Sequence, residues 1–157
     1  MKPAPFEYHR PREISEALTL LREIGDDGKI LAGGQSLMPM MNFRLAQPAH
    51  LIDINFIDGL DYIRSENGAL KIGCLARQSQ VLVNPLIHQR CPLLTAALTH
   101  VGYEQTRNRG TVCGSLAHAD PAAELPAALL ALDGSLTVAR TGGKREIAAR
   151  EFFQSYL

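Results

Sequence analysis

Two glycine-bearing stretches hold the residues best suited to chemistry. The first, Ala32-Gly33-Gly34-Gln35-Ser36-Leu37, runs from a short apolar segment into a helix-forming one. Glycines, lacking Cβ, let successive backbone N–H groups converge on one point, and such a nest binds an anion. The helix start that follows adds unpaired N–H donors and a partial positive charge. The second stretch is Arg109-Gly110-Thr111-Val112-Cys113-Gly114-Ser115-Leu116-Ala117-His118-Ala119-Asp120-Pro121-Ala122-Ala123-Glu124-Leu125-Pro126. Thr111 and Ser115 offer hydroxyl donors to phosphate oxygens, and Asp120 and Glu124 offer acceptors to the hydroxyls of a sugar or ribityl chain. A plainer role exists for each stretch. The first serves equally as a tight strand-to-helix turn, and in the second Asp120 is placed to cap a helix begun by Pro121. Capping and binding are compatible, because an ordered loop is what a ligand requires.

Neither stretch carries the GxxxxGK[ST] or GxGxxG spacing of the familiar nucleotide loops. Two unlike glycine loops from different parts of the chain point instead to the pyrophosphate of a dinucleotide clamped between them. Backbone amides would neutralise it, which agrees with sixteen basic residues balancing sixteen acidic ones. That balance gives no electrostatic reason to expect nucleic acid or an anionic membrane as partner. Other residues are read as structural. His118-Ala119-Asp120 lacks the further ligands a metal needs. Arg107 and Arg109 are expected to be solvated. Met38, Met40 and Met41 are assigned to packing, and Tyr8 and Tyr103 are expected to be half-buried structural tyrosines.

The elements that position these loops follow from periodicity. An amphipathic helix is predicted over 11–23, with Ile14, Ala17, Leu18 and Leu21 on one face, ended by Gly25. Strands are predicted over 29–32 and 50–54, and a helix over 37–44 with Ser36 as its cap. Asn67-Gly68 between apolar runs predicts a hairpin of 60–64 with 69–73. Helices over 92–101 and 124–132 and a hairpin of 135–140 with 144–148 complete the pattern. The mixture of helices and hairpins, without a regular βαβ repeat, favours an α+β fold.

Length and composition bound the rest. The chain has 157 residues, of which 46% are hydrophobic and 20% charged, the balance of a folded globule. No apolar run approaches the ~20 residues of a membrane-spanning helix. The charged N-terminal segment predicts no signal peptide. Three well-separated cysteines without a CxxC pair fit a reducing cytoplasm and exclude a zinc ribbon or a cluster of the ferredoxin type. Cys113 reads as a structural thiol. The aromatic segment 151–157 wants a core to pack into where the chain stops, so the sequence is expected to be a fragment.

The two glycine stretches together resemble the FAD-binding medium subunit of molybdenum hydroxylases, a family that includes the carbon monoxide dehydrogenase medium subunit and the FAD domain of xanthine dehydrogenase. Phe6-Glu7-Tyr8 and the helix after it are similar too. The resemblance implies an α+β fold of two subdomains, 1–56 and 57–157, the second incomplete. It implies FAD as cofactor, with backbone contacts to the diphosphate from Ala32, Gly33, Gly34, Gln35, Ser36 and Leu37. Thr111, Gly114 and Ser115 would close the clamp. Asp120 and Glu124 would face the ribityl–phosphate part, and Gly102 would approach the nucleotide by its backbone. Cys113 departs from the family, which has a glycine there. The implied activity is electron transfer in an oxidoreductase. Electrons would arrive from a molybdenum cofactor in a large subunit through [2Fe–2S] clusters in a small one, within a dimer of heterotrimers, and leave through FAD to an external acceptor. A stand-alone FAD oxidase and a non-redox nucleotide-binding module are the alternatives.

Overall fold

A computed structural model describes residues 2–154 of the chain. The first part contains β1 (Glu7–His9), α1 (Ile14–Ile24), a 3-10 turn at Gly25–Asp27, β2 (Gly28–Leu31), α2 (Leu37–Asn42) and β3 (His50–Asp53). Gly25 ends α1 as predicted, at φ +67°, where a residue without Cβ is least strained. The three strands form one sheet in the order β1-β3-β2, and both pairings are parallel. Helix α1 lies on this sheet, where Ala17, Ile52 and Ile57 make a small core with Leu20, Leu21 and Ile24 around it.

A 3-10 turn at Ile54–Phe56 follows β3, and the second part opens with the antiparallel hairpin β4 (Ile63–Glu66) and β5 (Ala69–Ile72). Asn67 and Gly68 both take positive φ, 52° and 80°, in the hairpin turn their sequence predicts. Six helices follow: α3 (Gln78–Leu82), α4 (Pro85–Arg90), α5 (Pro92–His100), α6 (Glu104–Arg109), α7 (Val112–His118) and α8 (Glu124–Ala131). The hairpin β6 (Ser135–Arg140) and β7 (Gly143–Ala148) and the short α9 (Ala149–Phe152) close the described chain. The main core gathers Ala76, from the loop before α3, with Val81, Ile87, Leu94, Leu98, Val112, Leu116 and Leu125 from five helices of this part. Leu94 and Leu98 are the buried members of the face predicted for α5, with Ala97 and Val101 packed at its margin.

The architecture is α+β, with differences from expectation that have local causes. The first part does contain a parallel β2–α2–β3 crossover, and β1 adds a third strand that three mostly exposed residues do not announce. Ser36 begins α2 already in helical conformation, at φ −97° and ψ −48°, and its side chain makes no capping bond. Asp120 does not cap α8, which starts at Glu124 after Ala123. Its carboxylate accepts from the Ala122 amide at 2.9 Å, ordering the turn before that helix. Much of the second glycine stretch is helix α7, not loop. Tyr103 is 81% exposed instead of half-buried. Arg107 is no free surface cation, since it donates to the carbonyls of Val101 (2.9 Å) and Gly102 (3.1 Å). The last three residues of the terminal aromatic segment, 155–157, lie outside the described residues.

Candidate functional site

A cleft of about 700 Å³ opens between the two parts, beside the loop that leaves the C-terminal end of β2. That is where open sheets with parallel strands place ligands. Ala32, Gly33, Gly34, Gln35, Ser36 and Leu37 line one wall, and Gly110, Thr111, Gly114 and Ser115 line the other. Gly102, Asp120 and Glu124 are not among the lining residues. Ala117 and His118, within the second stretch, also line the cleft, and so do Cys74, Gln78 and Thr106, which nothing in their own sequence context marks.

The walls touch through backbone. A Cβ on Gly33 would sit 2.6 Å from the Arg109 carbonyl oxygen, 2.8 Å from Gly110 Cα and 3.0 Å from Thr111 N. None of these atoms belongs to a side chain that could turn away, so only glycine allows this approach. Gly34 follows at φ +72°, turning the chain so that the segment 34–36 runs along the cleft. Among the described residues, no backbone carbonyl accepts from the amides of Gly34, Gln35 or Ser36. The Gln35 side chain instead donates to the Gly33 carbonyl at 3.3 Å, turning that acceptor to protein.

The opposite wall is set by capping. Thr111 is 2% exposed, and its hydroxyl accepts from the Gly114 amide at 3.0 Å at the start of α7. Gly114 is small for the same reason, because a Cβ there would lie 2.6 Å from that hydroxyl oxygen. Gln78 is 4% exposed and its backbone amide donates to the Gly110 carbonyl at 2.9 Å. Its side-chain Nε2 reaches the Thr111 carbonyl at 3.4 Å, while its Oε1 has no hydrogen-bond partner among the described residues. A buried amide oxygen left unsatisfied on a cleft wall is costly, and a ligand donor would satisfy it.

A chain of polar contacts ties both walls to the sheet. Tyr8 donates to Asp53 at 2.6 Å. The other Asp53 oxygen accepts from the Asn55 amide (2.9 Å) and side chain (2.6 Å). Asn55 Nδ2 also donates to the Ala32 carbonyl at 2.8 Å, on the first loop. Arg77 then donates to Asn55 Oδ1 at 2.6 Å and, through its other nitrogen, to the Arg109 carbonyl on the second loop. The Asp53 contact holds the Tyr8 phenol above its usual range. Partial burial, followed by the nearby Arg109 charge, pulls the Arg77 guanidinium down, and Asp53 opposes this.

Burial, with Cys74 alongside, pushes the Cys113 thiol up to about 12. Burial raises Cys74 as well. Both are neutral at ordinary pH, so neither supplies a thiolate nucleophile to the cleft.

This geometry suits a flexible diphosphate held by main-chain donors, and comparison with known proteins decides the family. Residues 4–157 match the family described as FAD binding domain in molybdopterin dehydrogenase. The chain belongs to this family. It is 46% identical over 156 residues to the 6-hydroxypseudooxynicotine dehydrogenase complex subunit alpha of Paenarthrobacter nicotinovorans, covering 99% of this chain and 53% of that protein. Against the carbon monoxide dehydrogenase medium chain of Hydrogenophaga pseudoflava it is 42% identical over 153 residues, covering 98% of this chain and 53% of the relative. A solved structure of carbon monoxide dehydrogenase from Hydrogenophaga pseudoflava, lacking the Mo-pyranopterin moiety, superposes with a TM-score of 0.94 at 42% identity. That match covers 98% of this chain and 53% of the solved one. The chain thus spans about half the length of the relatives it matches.

The observed cleft fits the family's cofactor on its own evidence. Gly33 leaves a wall free of side chain, the amides of 34–36 are open to an acceptor, and Gln78 holds a buried oxygen in want of a donor.

Proposed function

We propose that Ala32, Gly33, Gly34, Gln35, Ser36 and Leu37 hold the diphosphate of FAD from one side of the cleft and Thr111, Gly114 and Ser115 from the other. The observation that carries this reading is the close backbone approach of Gly33 to Arg109–Thr111, which sets the uncommitted amides of 34–36 beside the second wall in one crevice. Ser36 and Ser115, both on the lining, add hydroxyls. Asp120 and Glu124 lie towards the ribityl–phosphate part, just past the end of α7 whose Ala117 and His118 line the cleft. Gly102 approaches the nucleotide by its backbone; it stands at φ +45°, and its carbonyl accepts from Arg107 at 3.1 Å. Two units, 1–56 and 57–157, thereby bracket the cofactor.

FAD supplies the redox chemistry, taking up electrons and passing them on. The residues of this chain bind and orient it, and none is required as a general acid or base. The working protein is an electron-transfer flavoprotein subunit of an oxidoreductase. Its electrons come from a molybdenum cofactor in a large subunit and [2Fe–2S] clusters in a small one, and an external acceptor takes them. The names of the relatives, a complex subunit and a medium chain, favour this over a stand-alone oxidase. A dimer of heterotrimers in the cytoplasm is the proposed setting. Among the described residues no helix is long and apolar enough to cross a membrane.

The test is flavin retention by the full-length protein. Wild type is expected to purify with one FAD per chain, and Gly34→Val to purify colourless, since a β-branched residue at φ +72° is strained and its Cβ would press on Leu31 and Met38, distorting the loop that carries the 34–36 amides. Wild-type affinity in that variant would overturn the site assignment.

A further inference from the structure

Glu7, His9 and His50 bring three metal-ligating side chains together on the first sheet, outside the cleft. Their meeting follows from the strand register. Glu7 and His50 are direct partners across the parallel β1–β3 pair, and His9, two residues beyond Glu7, points to the same face. On the other side of His50 the partner is Gly28, which brings no side chain to the group. Lys29 pairs with Leu51, so alternation sends it to the opposite face. Arg10, the residue after His9, is drawn over the Phe56 ring at 3.4 Å. Glu7 and His50 open β1 and β3, whereas the cleft lies beside the loop leaving the end of β2.

The separations are those of ligands around one ion. His9 Nε2 and His50 Nδ1 are 3.0 Å apart, Glu7 Oε1 is 3.8 Å from His9 Nε2, and Glu7 Oε2 is 3.5 Å from His50 Nδ1. Bonds of about 2.0–2.1 Å at tetrahedral angles place neighbouring donor atoms about 3.3 Å apart. The two rings are tilted by 33° with centroids 5.2 Å apart, so their nitrogens converge and the faces do not stack. The imidazoles are mostly buried, at 17% and 28% side-chain exposure, while the carboxylate is 67% exposed and leaves a route for an ion and water.

We propose that Glu7, His9 and His50 form a divalent transition-metal site, with Zn2+ the ion that fits two imidazoles and one carboxylate. Water completes the fourth position. Without metal, one ring donates its N–H to the other. With metal, both facing nitrogens present lone pairs and the protons reside on His9 Nδ1 and His50 Nε2. The ion would fasten β1, a three-residue edge strand, to the central strand.

The test uses the full-length protein after chelation, titrated calorimetrically with ZnCl2 and followed spectroscopically with CoCl2. One equivalent is expected to bind and to raise Tm. The cobalt spectrum should show visible d–d bands without thiolate charge transfer, which separates this site from free Cys74, Cys91 and Cys113. His9→Gln and His50→Gln should each weaken binding by at least the roughly 10–100-fold that loss of a supporting residue costs at metal sites. Exposed Glu7→Gln should weaken it without disturbing the fold, and it keeps the test valid if a histidine variant fails to fold. Cys74→Ser with Cys113→Ser should bind as wild type. No stoichiometric binding, a thiolate band, or binding indifferent to the Glu7 and histidine changes would overturn the assignment.

Discussion

Gly33 and Gly34 stand side by side but are glycines for different reasons, and the difference is measurable. At Gly33 the obstacle is space. Every atom a Cβ would meet within 3.0 Å belongs to the backbone of Arg109, Gly110 or Thr111, so Gly33→Ala must push the two walls apart. A cost of about 1–3 kcal/mol in urea unfolding is expected, together with a lower flavin-to-protein ratio. At Gly34 the obstacle is the dihedral, with φ at +72° and flexible ends of Leu31 and Met38 as nearest neighbours at 3.1 and 3.2 Å. Gly34→Ala should therefore cost about 1–2 kcal/mol through strain, and Gly34→Asn, which tolerates the left-handed region, should recover part of it. Equal recovery of Gly33→Ala by Gly33→Asn would contradict the distinction. Cys113 offers a second residue-level test. Its folded thiol titrates near 12 against 9.0 for a free one, so the neutral form stabilises the fold below pH 9 and that contribution is lost as pH climbs towards 12. Iodoacetamide at pH 8 should accordingly leave Cys113 unmodified in the native protein while labelling it in urea, read by peptide mass spectrometry.

Helix α7 shows how an element can be hidden by the same residues that give it function. Val112-Cys113-Gly114-Ser115-Leu116-Ala117-His118 contains a glycine and a serine that read as loop, yet a threonine cap and two buried apolar anchors, Val112 and Leu116, suffice to hold it. The elements α1, α5, α8 and both hairpins could be read directly, α1 and α5 from an apolar face, α8 from an apolar run with Pro126 in its first turn, and the hairpins from the Asn67-Gly68 and Thr141-Gly142-Gly143 turns. Short α3, α4 and α6 could not, since five or six residues give too little period to detect and tertiary packing makes them helical. The glycine-loop segments were legible as candidate anion binders, whereas Gln78 was not, because its role comes from burial against Gly110 and not from any motif. The cap at α7 predicts an outcome. Thr111→Ala should lose about 1 kcal/mol, and Thr111→Ser should recover most of it by restoring an oxygen to the Gly114 amide. Thermal denaturation checks both. Wild-type stability in the alanine variant would mean that burial of Val112 and Leu116, not the cap, fixes the helix start.

Across the whole molecule, the two glycine loops must keep one spacing for a single diphosphate to bridge them, and direct contact at Gly33 alone would allow sliding. The Tyr8–Asp53–Asn55–Arg77 series supplies the missing constraint, because Asn55 holds the Ala32 carbonyl while Arg77 holds both Asn55 and the Arg109 carbonyl. Tyr8 and Arg77 are remote in sequence from Asp53 and Asn55, so no local pattern reveals the connection. Arg77 is suited to the position because its planar fork reaches two acceptors at once, which a lysine ammonium cannot do in the same geometry. Arg77→Lys should therefore behave more like Arg77→Met than like wild type, each destabilising by about 1–3 kcal/mol. If the series acts as one brace, Asn55→Ala and Arg77→Met will be non-additive, with a coupling of about 0.5–3 kcal/mol in a double-mutant cycle. Flavin dissociation should be faster in both single variants and no faster again in the double, since either change already frees one loop from the other. Strict additivity in both stability and dissociation rate would mean that the loops are positioned independently, each by its own strand or helix, and that Arg77 merely fills a polar gap between them.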